Sequence, residues 1–209
     1  MLIRLSRTAG WSLMLLLSLA IVAYAGALLV SRDWPDELAP SMHAHSLAIS
    51  LHIVGAMLAL GLGPLQFLPG LRSRHLHVHR WMGRLYLLGV LVGGAAGLYL
   101  ALFSYGGLIT HTGFGTLAVL WLVTGVLAYR AIRVRRIEDH RRWMTRNFAL
   151  TLAGVMLRVW VPLMTTVIAF DVAYVVIAWL CWVPNLVVAE LMLRAPRRRP
   201  VPAITLSAS

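Results

Sequence analysis

The sequence predicts an all-α integral membrane protein, a bundle of about six transmembrane helices with both termini in the cytoplasm. Three observations support this fold class. Hydrophobic residues make up 60% of the chain and charged residues 12%, whereas soluble domains carry about a quarter charged residues. The apolar residues fall in runs long enough to cross a bilayer. Every basic residue is an arginine, and all but Arg32 and Arg158 lie in four clusters beside these runs.

The four arginine clusters predict the topology. They comprise Arg4 with Arg7, then residues 72–84, 130–146 and 194–199. Because membranes hold excess arginine on the cytoplasmic side, we expect all four clusters there, in a bacterial inner membrane. The net charge of +12 then reflects topology and attraction to membrane lipid. It argues against a nucleic-acid partner, since the arginines border apolar helices instead of lining a polar domain.

Residues 1–44 are predicted to form an N-terminal membrane anchor and an outer loop. The run from Trp11 to Val30 is longer than the core of a signal peptide, so we expect it to remain uncleaved. The loop from Ser31 to Ser41 is acidic and contains two prolines, which places it outside the cytoplasm.

Residues 45–193 are predicted to be the helical core domain, and residues 194–209 a basic, disordered cytoplasmic tail. Small residues recur at helical spacing on the core segments, which allows close helix approach. The five predicted spans of this domain are His45 to Gln66, Trp81 to Phe103, Gly113 to Tyr129, His140 to Ala169, and Val172 to Leu193.

The fifth span carries a polar stripe. Residues recurring at steps of three and four share one helix face. Lipid offers polar groups no partners, so this face is expected to point into the bundle. Its members are His140, Met144, Asn147, Thr151, Gly154 and Arg158.

Arg158 is the most unusual residue of the stripe. An arginine in a membrane helix stays charged and costs at least about 2.5 kcal/mol. Pro162 cannot donate to the Arg158 carbonyl, so we expect a kink there. An arginine beside a broken helix can bind a haem propionate, a quinone carbonyl, a lipid phosphate or an anionic substrate. The alternative is a structural contact with polar groups of a neighbouring helix.

The sixth span contains two further polar residues. Asn185 follows Pro184, which is expected to loosen the helix. Glu190 is the one carboxylate predicted inside a span, near its cytoplasmic end. We expect Arg146 or Arg84 to neutralise it, and a proton-relay role is the alternative.

Histidines accompany four consecutive spans, from the second to the fifth: His52 (or His45), His79, His111 and His140. Two histidines from facing helices can hold a haem iron by its two axial positions, and bundle cores are common sites for such cofactors. Tyr86, on the His79 face, can donate a hydrogen bond to a cofactor. The alternative is that these histidines serve helix packing and the membrane interface.

This order of histidines resembles that of the di-haem transmembrane cytochrome b proteins. In that family the second and fourth helices hold one haem, and the third and fifth hold the other. The resemblance therefore implies a haem b between His52 and His111 and another between His79 and His140.

A second resemblance covers about residues 45–192. The segments HIVGAMLALGLGPLQF, LHVHRWMGRLYLL, HRRWMTRNFALTLAGVMLRVWVP and WVPNLVVAE are similar to a family of predicted bacterial membrane proteins, the domain of unknown function 2306. This resemblance implies a multi-span membrane protein and no particular activity.

The leading functional prediction is a haem-b-type electron carrier or quinone-linked oxidoreductase subunit, with quinone or a redox protein as partner besides lipid. The alternatives are a small transporter or lipid- or anion-binding membrane protein that uses Arg158, and a structural subunit without chemistry of its own. No catalytic residue is identified, and enzyme activity is left open, because HExxH, GxSxG, P-loop and CxxC patterns are all missing from the sequence.

Overall fold

The computed structural model describes residues 2–195, with the side chains of residues 8–195. The described part is helical and contains no strand. The predicted disordered tail lies almost entirely outside the described residues. The helices are α1 (Leu2–Ser31), α2 (Ala39–Ala44), α3 (Ser46–Gln66), α4 (Pro69–Arg74), α5 (Leu76–Ala101), α6 (Leu108–Arg133), α7 (Ile137–Thr151), α8 (Ala153–Thr165), α9 (Phe170–Leu180) and α10 (Val183–Arg194).

Six helical segments are long and apolar enough to cross a membrane, which confirms the predicted fold class. The six spans correspond to α1 from Thr8 onward, α3, α5, α6, the α7–α8 pair and the α9–α10 pair. The third and fourth spans are longer than expected, because charged and histidine-bearing turns at Leu76 and Arg133 remain helical. The short helices α2 and α4 were not predicted. The arginine clusters lie at the same end of successive spans, which we call the arginine-rich end, and the other end is the opposite end. The assignment of the arginine-rich end to the cytoplasm stays a prediction.

Helices α3 and α5 make the closest contact in the bundle. A Cβ atom added to Gly55 would lie 2.5 Å from the Gly93 nitrogen and 2.6 Å from the Gly89 oxygen. Backbone therefore meets backbone here, as expected where small residues face each other across a membrane interface. This contact fixes α5 against α3 and so positions Tyr86, His79 and the ring of His52.

Near the opposite end, six helical segments pack in a closed ring. In order around the ring these are α1, α3, α5, α6, α9 and α8, and α8 returns to α1. Toward the arginine-rich end, α7 packs on α6, α10 and α3. The fifth and sixth spans thus divide into halves, with α7 paired to α10 and α8 paired to α9.

Both of these last spans are interrupted near their middle. The fifth span changes from α7 to α8 at Leu152, and the sixth changes from α9 to α10 at Cys181 and Trp182. Pro184 lies in the first turn of α10, so the expected loosening is confirmed. Pro162 lies inside α8, and the kink expected there stays a prediction. The interruption of the fifth span falls earlier, where the buried Thr151 hydroxyl bonds back to the Asn147 carbonyl at 3.0 Å.

Candidate functional site

A buried hydrogen-bond network joins α5, α6 and α7 at the centre of the bundle. The Tyr86 hydroxyl donates to the Asn147 Oδ1 atom at 2.7 Å and lies 2.9 Å from the Thr151 Oγ1 atom. The Asn147 amide donates to the Trp121 carbonyl at 2.7 Å and to the Thr124 hydroxyl at 2.8 Å. The Trp121 indole donates to Thr151 at 2.9 Å. The inward orientation expected for Asn147 and Thr151 is confirmed, because both are buried.

The polar side-chain atoms of Tyr86, Asn147 and Thr151 all have partners in this network. Phe148, Val90 and Trp121 surround it with buried apolar surface. A ligand would have to displace bonds that are already made, at a cost of about 1–3 kcal/mol for each group left unpaired. The Tyr86 network is therefore a structural clamp between helices, and it does not offer Tyr86 to a cofactor.

Near the opposite end, three histidines bind local groups. The His52 Nδ1 atom lies 2.8 Å from the Gly93 carbonyl oxygen, and its ring fills the space left by Gly97 on α5. The His111 Nε2 atom lies 2.9 Å from the carbonyl of Ser104, in the preceding loop. His45 lies 3.1 Å from the Tyr99 hydroxyl. His52 thus faces α5, while the His111 ring is turned to its own loop.

At the arginine-rich end, His79 and His140 lie within electrostatic range of each other. The His140 Nδ1 atom lies 2.9 Å from the Ala128 carbonyl oxygen, which leaves its Nε2 atom free. The His79 Nδ1 atom is buried and has no hydrogen-bond partner, and the same holds for the nearby Gln66 Nε2 atom. These unpartnered atoms distinguish this end from the Tyr86 network.

The two histidine pairs differ in how well they fit a haem. The outer pair, His52 with His111, fits less well, because the His52 ring faces Gly93 and Gly97 of α5 while the His111 ring is turned to Ser104 in its own loop. The inner pair, His79 with His140, does fit, since a ring nitrogen bound to a carbonyl leaves the other free for a metal, as in His140. The described residues include no group of three metal-ligating side chains, so the macrocycle would supply the remaining ligands.

Arg158 has almost no polar partner inside the protein. Its Nη1 atom donates to the Gly154 carbonyl of its own helix at 3.1 Å. Within the described chain no carboxylate forms an ion pair with it, since the ion pairs there all join other residues. The side chain is half-buried. A Cβ atom added to Gly154, one helical turn before Arg158, would meet nothing within 4 Å, so no neighbouring helix packs on α8 at that point. We use the name Arg158 crevice for the surroundings of Arg158 and Gly154.

Polar groups from several helices of the ring lie near enough to Arg158 to interact with its charge. Tyr24, His52, Tyr174 and Cys181 lie within electrostatic range of its guanidinium. They come from α1, α3, α9 and the α9–α10 junction. At 1.5 Å per residue, Arg158, Tyr24, His52 and Tyr174 all lie about 6–11 Å from the opposite ends of their spans. The crevice therefore combines one fixed positive charge with neutral hydrogen-bonding groups at one depth.

The remaining predicted polar residues have structural partners. Glu190 forms a two-point ion pair with Arg146, in which the Arg146 Nη2 and Glu190 Oε2 atoms lie 3.0 Å apart. Arg84, the other expected partner, instead lies over the Trp81 ring at 4.7 Å. The Asn185 amide donates to the Cys181 carbonyl at 3.0 Å, across the interruption of the sixth span.

Some members of the candidate site were missed from the sequence. Tyr24 and Tyr174 carry no motif, and only the ring of helices brings them to Arg158. Their common depth was a usable signal, because each lies one or two turns inside the opposite end of its span. Gln66 was named only as the last residue of the second predicted span. Its unpartnered amide became evident from the packing of α3 on α5.

Comparison with known families identifies the core of this bundle. The family model described as a predicted membrane protein, domain of unknown function 2306, matches residues 49–193, which include every span except α1. Neither a curated protein nor a solved structure matches the chain. The resemblance to cytochrome b proteins thus has no support from these comparisons. Because the model covers more than half of the sequence, the chain belongs to the membrane protein family of the domain of unknown function 2306.

Proposed function

We propose that this protein is a small transporter or binding protein for anions, and that Arg158 is its anion-binding residue. The observation that carries the proposal is the guanidinium, which has one bond to its own helix and no paired carboxylate among the described residues, while Gly154, one turn away, has no neighbour packed on it. We rank this proposal above the haem-based prediction because the outer histidines face α5 and a loop instead of each other, which leaves only His79 and His140 as a candidate ligand pair.

The physical chemistry of the crevice favours a compact oxyanion. Removing a guanidinium from water is costly unless its donors are bonded to an acceptor. A carboxylate or phosphate accepts two parallel N–H bonds from arginine, which satisfies the donors and neutralises the charge together. Tyr24 and Tyr174 hydroxyls can then donate to the remaining oxygens. A cation would find no charged acceptor among the groups around Arg158.

The interrupted spans support movement of the site. The α8–α9 half carries Arg158 and Tyr174, whereas the α7–α10 half is joined by the ion pair between Arg146 and Glu190. Broken helices near the bilayer midplane are the elements from which transporters build and gate their substrate sites. The α8–α9 pair can thus shift relative to α7–α10 at Leu152 and Cys181, which would expose the crevice alternately.

Thermal unfolding of the purified protein tests the proposal. A panel of acetate, inorganic phosphate and oleate is compared with choline as a cation control. At about 100 times Kd, a bound anion stabilises the fold by about 2.7 kcal/mol, so the matching anion is expected to raise Tm by several degrees. Arg158→Gln should abolish this shift and Arg158→Lys should retain part of it, while exposed Arg84→Gln serves as control. Protection that survives Arg158→Gln would overturn the proposal.

A haem b at His79 and His140 is the second candidate, and the free His140 Nε2 atom together with the unpartnered His79 Nδ1 atom favours it. These two residues would be the axial ligands. When bound, the haem would supply reversible one-electron transfer, with a quinone or a redox protein as partner. Protein from haem-replete cells should then show a Soret band that sharpens on reduction and disappears in His140→Gln. A colourless preparation excludes this candidate.

We further propose that the protein resides in a bacterial inner membrane with its arginine-rich end in the cytoplasm. The clustering of arginine at one end of the spans supports this orientation. A reporter enzyme active only outside the cytoplasm, fused in the loop between α1 and α2, should be active. Activity of the same reporter between α6 and α7 would contradict the orientation.

A further inference from the structure

A second group of unsatisfied polar atoms lies far from Arg158, at the arginine-rich end. The Gln66 Nε2 and His79 Nδ1 atoms are both buried, and neither has a hydrogen-bond partner. Buried polar atoms are almost always bonded in proteins, so two unpaired atoms in one place need an explanation. Ser18, Trp34 and Trp160 each also have one buried atom without a partner, but Gln66 and His79 are two such residues at adjoining helix ends. The Tyr86 network, two helical turns deeper along α5, is by contrast fully bonded.

Both side chains lie on one face of α5: His79 belongs to this helix, and Gln66 reaches it from the end of α3. A Cβ atom added to Gly83 would lie 3.6 Å from the Gln66 Oε1 atom, so the Gln66 amide rests against α5 at Gly83. Gly83 is four residues after His79, and residues at that spacing lie above one another on a helix. The end of α3 and the first turns of α5 thus hold the amide and the imidazole about one turn apart.

The surroundings of these atoms are positively charged. Arg72, Arg80 and His140 lie within electrostatic range of His79. The described carboxylates nearest in sequence to His140 and at this end of the bundle already face other arginines, in the pairs Arg136–Asp139, Arg141–Glu138 and Arg146–Glu190. A ligand at Gln66 and His79 must therefore supply the negative charge itself.

The position of the cluster selects a phosphate group. The cluster lies where α3 ends and α5 begins, beside the short helix α4 with Arg72 and Arg74, and the arginine clusters are expected at the membrane surface. Trp81, beside it, is half-exposed in the way of interface tryptophans. Phe67, the residue after Gln66, packs on Phe148 with ring centroids 5.2 Å apart. We infer that Gln66 and His79, with Arg72 and Arg80, bind a phosphate group, carried by an anionic phospholipid or present as a free anion.

This inference is independent of the proposed anion site at Arg158, because the two sites lie at opposite ends of the spans, and it is an alternative to a haem at His79 and His140. The test uses the full-length protein in nanodiscs of phosphatidylcholine, with or without phosphatidylglycerol, and with inorganic phosphate as a separate addition. Tm is measured for the wild type, Gln66→Leu and His79→Leu. Exposed His75→Gln and His77→Gln are matched controls from the same segment, and Arg158→Gln controls for the distant crevice.

The expected result is a Tm increase of a few degrees that Gln66→Leu and His79→Leu each remove, while the three controls retain it. An increase with phosphatidylglycerol alone identifies the lipid headgroup, and an increase with inorganic phosphate identifies the free anion. Gln66→Leu fills the same volume without donors, so it tests the site even if His79→Leu does not fold. An unchanged shift in Gln66→Leu, or a Soret band lost in His79→Leu, would overturn the inference.

Discussion

The Tyr86 network and the Arg158 crevice are both polar regions inside a membrane bundle, yet their polar atoms differ in the hydrogen-bond partners that they find within the protein. Around Tyr86, Asn147 and Thr151 the hydroxyl and amide groups find partners within the protein. Around Arg158 a full positive charge is held by one bond to its own helix. Hydrogen-bond satisfaction therefore separates polar residues that clamp helices together from those left available to a ligand.

Two glycines differ in the same way, since Gly55 is tightly packed and Gly154 is not. The largest effect on stability is expected for substitution of Gly55. Gly55→Ala places a methyl group against the α5 backbone, which cannot yield locally. We expect the free energy of unfolding to fall by about 3 kcal/mol, with a large fall in Tm. Gly154→Ala, in the crevice, meets nothing within 4 Å and should leave Tm unchanged or slightly raised. Equal losses in the two variants would mean that the crevice is closed.

Removing the centre of the network should come next in size. Asn147→Leu leaves the Tyr86 hydroxyl, the Trp121 carbonyl and the Thr124 hydroxyl with fewer partners, and is expected to cost about 2 kcal/mol. Asn185→Leu removes a single bond, so its cost should be about 0.6 kcal/mol, as for an average membrane hydrogen bond. Chemical denaturation in detergent measures both, and comparable losses would contradict the clamp.

Arg158→Met is expected to leave the free energy of unfolding unchanged or to raise it, in contrast to Gly55→Ala and Asn147→Leu. Replacing an uncompensated interior charge by an apolar side chain of similar length is neutral or stabilising, by about 1 kcal/mol, in buffer that lacks a binding anion. The same denaturation experiment measures it, with Arg146→Met as the matched control that breaks an existing ion pair. If Arg158→Met is as destabilising as Asn147→Leu, Arg158 has a structural partner and the contrast fails.

The smallest effect is expected at the Glu190–Arg146 pair. The side chains are 32% and 17% exposed, near the arginine-rich end. Glu190→Gln should therefore cost no more than about 1 kcal/mol, and the difference from wild type should shrink as salt is raised. A larger or salt-independent loss would indicate that Glu190 has a further role, such as the proton relay considered from the sequence.

The fold was largely predictable because membrane spans are encoded locally. Length, apolarity and arginine placement were sufficient for the six spans, and the spacing of small residues predicted the close helix approach that α3 and α5 show, although Gly55 at the contact was not singled out. The ends of the spans were less accurate, since helical turns at Leu76 and Arg133 continue beyond the apolar residues. The interruption at Leu152 was missed because no proline or glycine occupies that position.

The candidate site was predictable only where one helix decides it. The stripe containing Asn147, Thr151 and Arg158 followed from helical period alone. Which histidines could meet depended on the packing of separate helices and on loop carbonyls, and no periodicity in the sequence specifies that Ser104 accepts from His111. The same limit applies to Tyr24 and Tyr174, which belong to spans far apart in the chain.

Equilibrium binding at Arg158 tests the central claim most directly. Titration calorimetry with the anion that gives the largest Tm shift is performed on the wild type, Arg158→Gln and Asn185→Leu, at a temperature where all three are folded. We predict one site in the wild type, an affinity at least about tenfold lower in Arg158→Gln, equivalent to about 1.4 kcal/mol, and an unchanged affinity in Asn185→Leu. Equal affinity in the wild type and Arg158→Gln would contradict the assignment of Arg158 as the anion-binding residue.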